Sequence, residues 1–111
     1  MFEVEITKVA EKDLRDLAKT DKKLLAEVLK KLELLKSGNF DALDIKPIKR
    51  KGKNKILEIK IKFPSSYRIF YFEVVKKEML YIISGVRKKV NKLPSKFFDK
   101  LDKRINNLLD K

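Results

Sequence analysis

Three apolar segments separated by short turns lie between residues 57 and 85, and they restrict this chain to folds that contain an antiparallel sheet. Residues 57–63 alternate apolar with charged side chains, as a strand with one buried face does. Residues 67–75, with the sequence YRIFYFEVV, are apolar on both faces, which is typical of a central strand. Residues 79–85 form the third segment, so the pattern predicts a three-stranded meander.

Helical periodicity flanks this meander on both sides. Residues 2–8 alternate apolar with acidic side chains, which predicts a strand suited to a sheet edge. A short helix is expected to end near Lys19, and the leucine-rich residues 22–36 predict a second helix followed by Gly38, a residue that suits a left-handed C-terminal cap. A last helix with one apolar side is predicted to begin at Ser95.

The order of these elements predicts the fold class. The chain follows the order β-α-α-β-β-β-α, a short strand within residues 43–48 would add a fourth strand before the meander, and no linker divides the chain. Helices packed on an antiparallel sheet make an α+β domain of two layers. We therefore predict a single domain over residues 1–111.

The net charge of this domain says more about its binding partners than about its fold. The 29 Lys and Arg exceed the 16 Asp and Glu by 13, and the whole excess lies after Ile48, because residues 1–48 are neutral. A net charge of +13 favours an anionic partner such as nucleic acid. The balanced helices of the first half match the ion-paired surfaces of thermostable proteins instead.

Missing residue types exclude several kinds of chemistry. The chain contains neither Cys nor His, which removes thiolate nucleophiles, zinc ribbons and the usual general base near neutral pH. The sequence also contains neither a glycine-rich phosphate loop nor a carboxylate cluster of metal-binding form, so no metal and no cofactor are expected. Without a signal peptide or an apolar span of about 20 residues, the expected location is cytoplasmic, with no membrane partner.

Arg68 is the first candidate site residue, because it lies in the apolar central strand on the same face as Phe70. One interpretation makes it a structural arginine that reaches solvent or pairs with Glu58. The other makes it an anion ligand at the end of the sheet, since a guanidinium group matches phosphate oxygens. Glu58 itself alternates with apolar strand residues and is predicted to be exposed.

A second group of candidates follows the last strand. We expect these cations to share one concave face with Arg68 and to form a groove for a phosphodiester backbone. Tyr67 could stack on bases there. The members are Arg87, Lys88, Lys89 and Lys92, with Lys60 and Lys62 beside them and Lys49, Arg50 and Lys51 from the basic run at residues 49–55.

Such a groove could cleave RNA without His or metal. RNA supplies its own nucleophile, the 2′-OH, so the protein has to orient it, stabilise negative charge and protonate the leaving 5′ oxygen. Arginine and lysine can stabilise that charge. A lysine crowded by other cations has a lowered pKa and can serve as acid or base.

Four short motifs follow one another along the chain, namely Glu-Ile-Lys at residues 58–60, YRIFY at residues 67–71, Lys88 and Lys89 after the last strand, and Pro94 at the start of the last helix. Their order and spacing resemble the RelE/HigB superfamily of toxins from bacterial toxin-antitoxin systems, and within it the phage-related HigB-like branch. That branch typically has Glu-Leu-Arg at the first place and Tyr-Arg-Val-Phe-Tyr at the second. Three features depart from the pattern, namely Lys60 in place of Arg, Val86 where Phe is common, and a C-terminal end without a catalytic Tyr.

The resemblance implies a ribosome-dependent endoribonuclease that cuts mRNA and is held inactive by an antitoxin, either a small helix-turn-helix protein or an acidic one. Arg68 would then clamp the phosphate, and Arg87, Lys88 and Lys89 would be groove or catalytic cations. Two alternatives remain open, a domain that binds RNA or the ribosome without cleaving, and a gyrase-inhibiting, ParE-like toxin on the same fold. Fold alone does not separate them.

Overall fold

The computed structural model describes residues 3–48, 55–87 and 93–109, and its elements follow the predicted order. Short 3-10 turns lie at Phe40–Ala42 and Val75–Lys77. Within the described ranges, none of the helices has the length and apolar character needed to cross a bilayer. The strands and helices are β1 Glu3–Ile6, α1 Lys8–Thr20, α2 Lys22–Lys36, β2 Ile45–Ile48, β3 Ile56–Ile61, β4 Tyr67–Val74, β5 Met79–Arg87 and α3 Ser95–Leu109.

Local signals fix the ends of the α1–α2 hairpin. Asp21 caps α2, since its side chain accepts a hydrogen bond from the amide of Leu24 at 3.1 Å. Gly38 takes a positive φ of 81° just after α2, and the amide of Asn39 donates to the carbonyl of Leu34 at 2.9 Å. This left-handed cap confirms the expectation for Gly38.

The sheet has five strands in the order β1-β5-β4-β3-β2. The predicted meander is confirmed, because β3, β4 and β5 pair as antiparallel neighbours. β1 lies at the sheet edge as predicted, but it runs parallel to β5 and makes the sheet mixed. The α1–α2 hairpin and strands β2 to β4 lie between β1 and β5 in the chain, so the connection is longer than the dozen or so residues that parallel pairing requires.

Both faces of the sheet carry a core, so the α+β class is confirmed with helices on two sides rather than one. On the α1/α2 face, Tyr67, Ile69 and Tyr71 pack beneath the helical hairpin. On the α3 face, Phe70 contacts the rings of Phe97 and Phe98 at centroid distances of 5.2 and 5.7 Å. The central strand is apolar on both sides because each side is covered by helix.

One irregularity in β5 changes which face its last residues occupy. Phe70 pairs with Ser84 and Tyr71 pairs with Ile82, so Ile83 is an extra residue in β5. A β-bulge of this kind reverses the alternation of side chains beyond it. As a result, Arg87 pairs with Tyr67 of the α1/α2 face.

Candidate functional site

Arg68 is the second residue of the central strand β4 and lies on the α3 face, flanked by one residue from each neighbouring strand. It pairs with Lys60 of β3 on one side and with Val86 of β5 on the other. Although these two neighbours are half-buried, only 8% of the surface of Arg68 is exposed. The strand therefore places a guanidinium group under the edge of the core that α3 covers.

Glu58 is the ion-pair partner of this arginine. Its Oε1 lies 3.7 Å from Nε of Arg68, and only 4% of the residue is exposed. The prediction that Glu58 is exposed is therefore wrong, because its strand face is the one that α3 covers. The alternative in which Arg68 pairs with Glu58 is the arrangement that the structure contains.

The ion pair leaves hydrogen-bonding capacity on Arg68 unused. Within the described chain, its Nε and Nη1 atoms are buried and have no hydrogen-bond partner. An unsatisfied buried donor costs about 1–3 kcal/mol, and native proteins contain few of them. Arg68 thus carries donors that an incoming anion could satisfy.

Lys46 is a third cation near Glu58 that the sequence analysis did not single out. It is exposed on β2 and lies directly across from Glu58, a relation that separates Cβ atoms by about 5 Å in antiparallel pairs. We call the resulting group the Arg68 cluster, and its members are Lys46, Glu58, Lys60 and Arg68. It holds three cations and one carboxylate, a net charge of +2 on the α3 face.

Arg87 lies on the other face of the sheet and does not join the Arg68 cluster. Its Nη2 atom lies 3.6 Å from Oδ2 of Asp21 and donates to the hydroxyl of Thr20 at 3.5 Å. These contacts tie the end of β5 to the turn between α1 and α2. The predicted convergence of Arg68 and Arg87 on one concave face is therefore absent.

Tyr67 lies in the core of the α1/α2 face. Only 2% of it is exposed, and its ring packs over Gly85, leaving the ring no open surface on which a base could stack. Burial raises the pKa of its hydroxyl to about 12, with the nearby charge of Asp13 adding to the shift. Tyr71, on the same face, also has a pKa raised to about 12, by burial and then by Glu73.

These two tyrosines predict a loss of stability in alkali. Between pH 10 and 12 the unfolded chain releases tyrosine protons that the folded chain retains, so the free energy of unfolding falls as pH rises. Because lysines titrate in the same range, the measurement is the difference between the unaltered chain and a Tyr67→Phe/Tyr71→Phe variant in urea unfolding at pH 9 to 11.5. The variant is expected to lose stability less steeply, and equal slopes would contradict the shifts.

The remaining candidates are distributed as follows. Lys62 is exposed one residue beyond the end of β3. Among the described residues, no group of His, Cys, Asp or Glu is arranged to hold a metal ion. Six candidates, Lys49, Arg50, Lys51, Lys88, Lys89 and Lys92, lie outside the described residues.

A signal for the missed residues is present in the sequence. Glu58 is two positions before Lys60 on one strand, so alternation already places both on the face of Arg68 once the β3–β4 register is known. Lys46 gave a weaker signal, since its strand is four residues long and contains Pro47. Pro is found on edge strands, where β2 lies.

A mixed five-stranded sheet with a helical hairpin on one face and a single helix on the other defines a small α+β protein with a cationic cluster on its sheet. The sequence model of the family described as phage derived protein Gp49-like (DUF891) matches residues 15–106. The chain belongs to this family. Among curated protein sequences, none matches significantly.

Solved structures that match this chain include two toxin-antitoxin complexes and one free form of a RelE protein. The intact E. coli RelBE toxin-antitoxin complex matches with a TM-score of 0.57 and 24% identity, covering 81% of this chain and 100% of the matched one. A double arginine-to-alanine mutant of E. coli toxin RelE in the free state gives 0.59 and 21%, covering 94% and 97%. The Mycobacterium tuberculosis RelBE2 toxin-antitoxin complex gives 0.56 and 20%, covering 78% and 98%. The chain therefore has the RelE fold, as its motifs indicate.

Proposed function

We propose that this chain is the toxin of a toxin-antitoxin pair and that it cleaves mRNA on the ribosome by attack of the RNA's own 2′-OH. The observation that carries the proposal is Arg68, a nearly buried guanidinium with two unsatisfied nitrogen atoms on the cationic face of a RelE fold. The fold also supports an antitoxin partner, since two of the matched structures are toxin-antitoxin complexes. An acidic antitoxin would complement a charge of +13.

In this proposal the cations of the Arg68 cluster have different roles during cleavage. Arg68 exchanges Glu58 for the scissile phosphate and stabilises the negative charge that develops on its oxygens. Lys46 and Lys60 hold the flanking phosphates. Their positions on neighbouring strands follow from the register of β2, β3 and β4.

Glu58 supplies the proton acceptor in this proposal. The 2′ oxygen bonds to phosphorus while its proton passes to the Glu58 carboxylate, and the bond from phosphorus to the 5′ oxygen breaks. A lysine ammonium protonates that 5′ oxygen, with Lys60 in the cluster and Lys88 and Lys89 after β5 as the candidates. The products are a 2′,3′-cyclic phosphate and a free 5′-OH.

The test is cleavage of a defined mRNA on translating ribosomes by the purified protein. We expect new 3′ ends that carry cyclic phosphate, and no cleavage when the scissile nucleotide lacks its 2′-OH, because the nucleophile is then missing. A Glu58→Gln variant should bind RNA at least as well, since a negative charge is removed, but cleave about 100-fold more slowly or worse. Unchanged cleavage by that variant would exclude Glu58 as proton acceptor.

A second candidate is a domain that binds RNA or the ribosome without cutting. The observation that favours it is the Arg68–Glu58 ion pair, in which both side chains are about nine-tenths buried. In that case RNA binding would weaken with salt, with a log-log slope of roughly −0.7 per phosphate contact, and no new ends would appear. Inhibition of DNA supercoiling with intact mRNA would instead support the gyrase-inhibiting alternative.

A further inference from the structure

A cavity lies on the α1/α2 face of the sheet, on the side opposite the Arg68 cluster. It has a volume of about 530 Å³, which falls within the range of about 300–1,000 Å³ typical of small-molecule sites. Leu57, Tyr71 and Leu80 from three neighbouring strands line it, and the 3-10 turn Phe40–Ala42 borders it. We call it the Tyr71 cavity.

The lining of the Tyr71 cavity contains neither Lys nor Arg, whereas the chain as a whole is rich in both. All eight lining residues are apolar, aromatic or acidic, although 29 of the 111 residues of the chain are Lys or Arg. Asp41 and Glu73 supply the two carboxylates, and both residues are exposed. Within the described chain, no cation lies within ion-pair distance of either carboxylate.

Tyr71 adds a polar group inside the cavity. Only 3% of the residue is exposed, and its hydroxyl makes no hydrogen bond to any described residue. The pKa of this hydroxyl is raised first by burial and then by the negative charge of Glu73, which also lines the cavity. A donor placed between them would therefore meet a carboxylate and a neutral phenol oxygen together.

We propose that the Tyr71 cavity binds a small organic amine with an apolar body. Its ammonium group lies between Asp41 and Glu73 and donates to the hydroxyl of Tyr71. Its apolar part covers Leu57 and Leu80, where the surrounding side chains are aliphatic or aromatic. The partly exposed ring of Phe40, 43% of which is accessible, adds a cation–π contact.

The net charge of +13 does not prevent this binding. At physiological ionic strength the Debye length is about 8 Å, so charges farther away than that are largely screened. The only charged residues among those that line the cavity are Asp41 and Glu73, so the charges in direct contact with the ligand are both negative. The assignment is independent of RNA cleavage, because the cavity and the Arg68 cluster lie on opposite faces of the sheet.

The experiment compares two probes of the same shape, phenethylamine and its neutral counterpart 2-phenylethanol, titrated into ¹⁵N-labelled full-length protein. Amide shifts report the place of binding, and their dependence on concentration gives the affinity. We expect phenethylamine to shift amides around Phe40, Tyr71 and Glu73, with an affinity at least several-fold higher than that of the alcohol. Equal affinities, or shifts located elsewhere, would overturn the proposal.

A charge-removing variant makes the test specific. Asp41→Asn/Glu73→Gln should weaken amine binding about fivefold while leaving alcohol binding unchanged, because two solvent-exposed ion pairs contribute only modestly. Glu11→Gln, an exposed carboxylate on α1, is the matched control and should change neither affinity. The spectra show directly that each variant is folded. An amine affinity insensitive to loss of both carboxylates would refute the assignment.

Discussion

The Arg68→Gln variant is expected to cleave mRNA on the ribosome about 100- to 1,000-fold more slowly than the unaltered chain, the usual cost of removing one group that stabilises transition-state charge. Gln retains a hydrogen-bond donor but carries no charge for the phosphate oxygens. The measurement is the single-turnover rate at saturating protein, so that a change in binding does not enter. The proposed function also predicts that expression of the unaltered chain arrests growth, and the Arg68→Gln variant should relieve that arrest in parallel.

Stability has to be separated from chemistry in this variant, because removing Arg68 leaves Glu58 buried without its partner. Such losses cost about 3–5 kcal/mol when the pair is fully buried. Arg68→Lys keeps the charge and the fold but loses the forked guanidinium, so it should remain well below the unaltered rate. Arg15→Gln, an exposed arginine on α1, is the control and should cleave normally. Normal cleavage by Arg68→Lys and Arg68→Gln would remove Arg68 from the site.

The Gly85→Ala variant is expected to lower the free energy of unfolding by about 1–3 kcal/mol through overpacking. A Cβ atom at this position would overlap the hydroxyl oxygen of Tyr67 and lie 3.0 Å from its Cε2 and Cζ atoms. Tyr67 cannot move away easily, since only 2% of it is exposed. Urea unfolding at neutral pH measures the loss.

A second substitution tests whether contact with Tyr67 causes the loss of stability in Gly85→Ala. Tyr67→Phe removes the hydroxyl oxygen, the atom nearest the added methyl group, so it should restore part of the stability lost in Gly85→Ala. Gly38→Ala is the matched control, because open space surrounds that position and its cost arises from the positive φ of 81°. Tyr67→Phe should not rescue Gly38→Ala. Equal rescue of both variants, or of neither, would refute the packing explanation.

Local sequence patterns predicted most of the elements correctly. The α2 bounds at residues 22 and 36, the start of α3 at Ser95 and the meander all match the structure, because helical and strand periodicity are properties of neighbouring residues. The parallel pairing of β1 with β5 was not predicted. It joins segments more than 70 residues apart, and the alternating pattern of β1 fits an edge strand of either direction.

The candidate site was predicted only in part, because local patterns show single residues but not which strands lie side by side. Arg68 was found because a charge inside an apolar strand stands out within its own segment. Glu58 was considered as a partner of Arg68 but was expected to be exposed, and Lys46 was not considered, since each looks like an ordinary exposed strand residue in isolation. Only the registers of β2 with β3 and of β3 with β4 bring them beside Arg68.

The sequence by itself determined the helices, the meander, the concentration of positive charge after Ile48 and the exceptional place of Arg68. The tertiary structure alone decided which cations share the face of Arg68. Regular alternation along β5 would have placed Arg87 there, but the extra residue Ile83 reverses the alternation and turns Arg87 towards Asp21. A bulge depends on how two strands pair, and α3 decides which face is covered, so neither effect is encoded in the spacing of one segment.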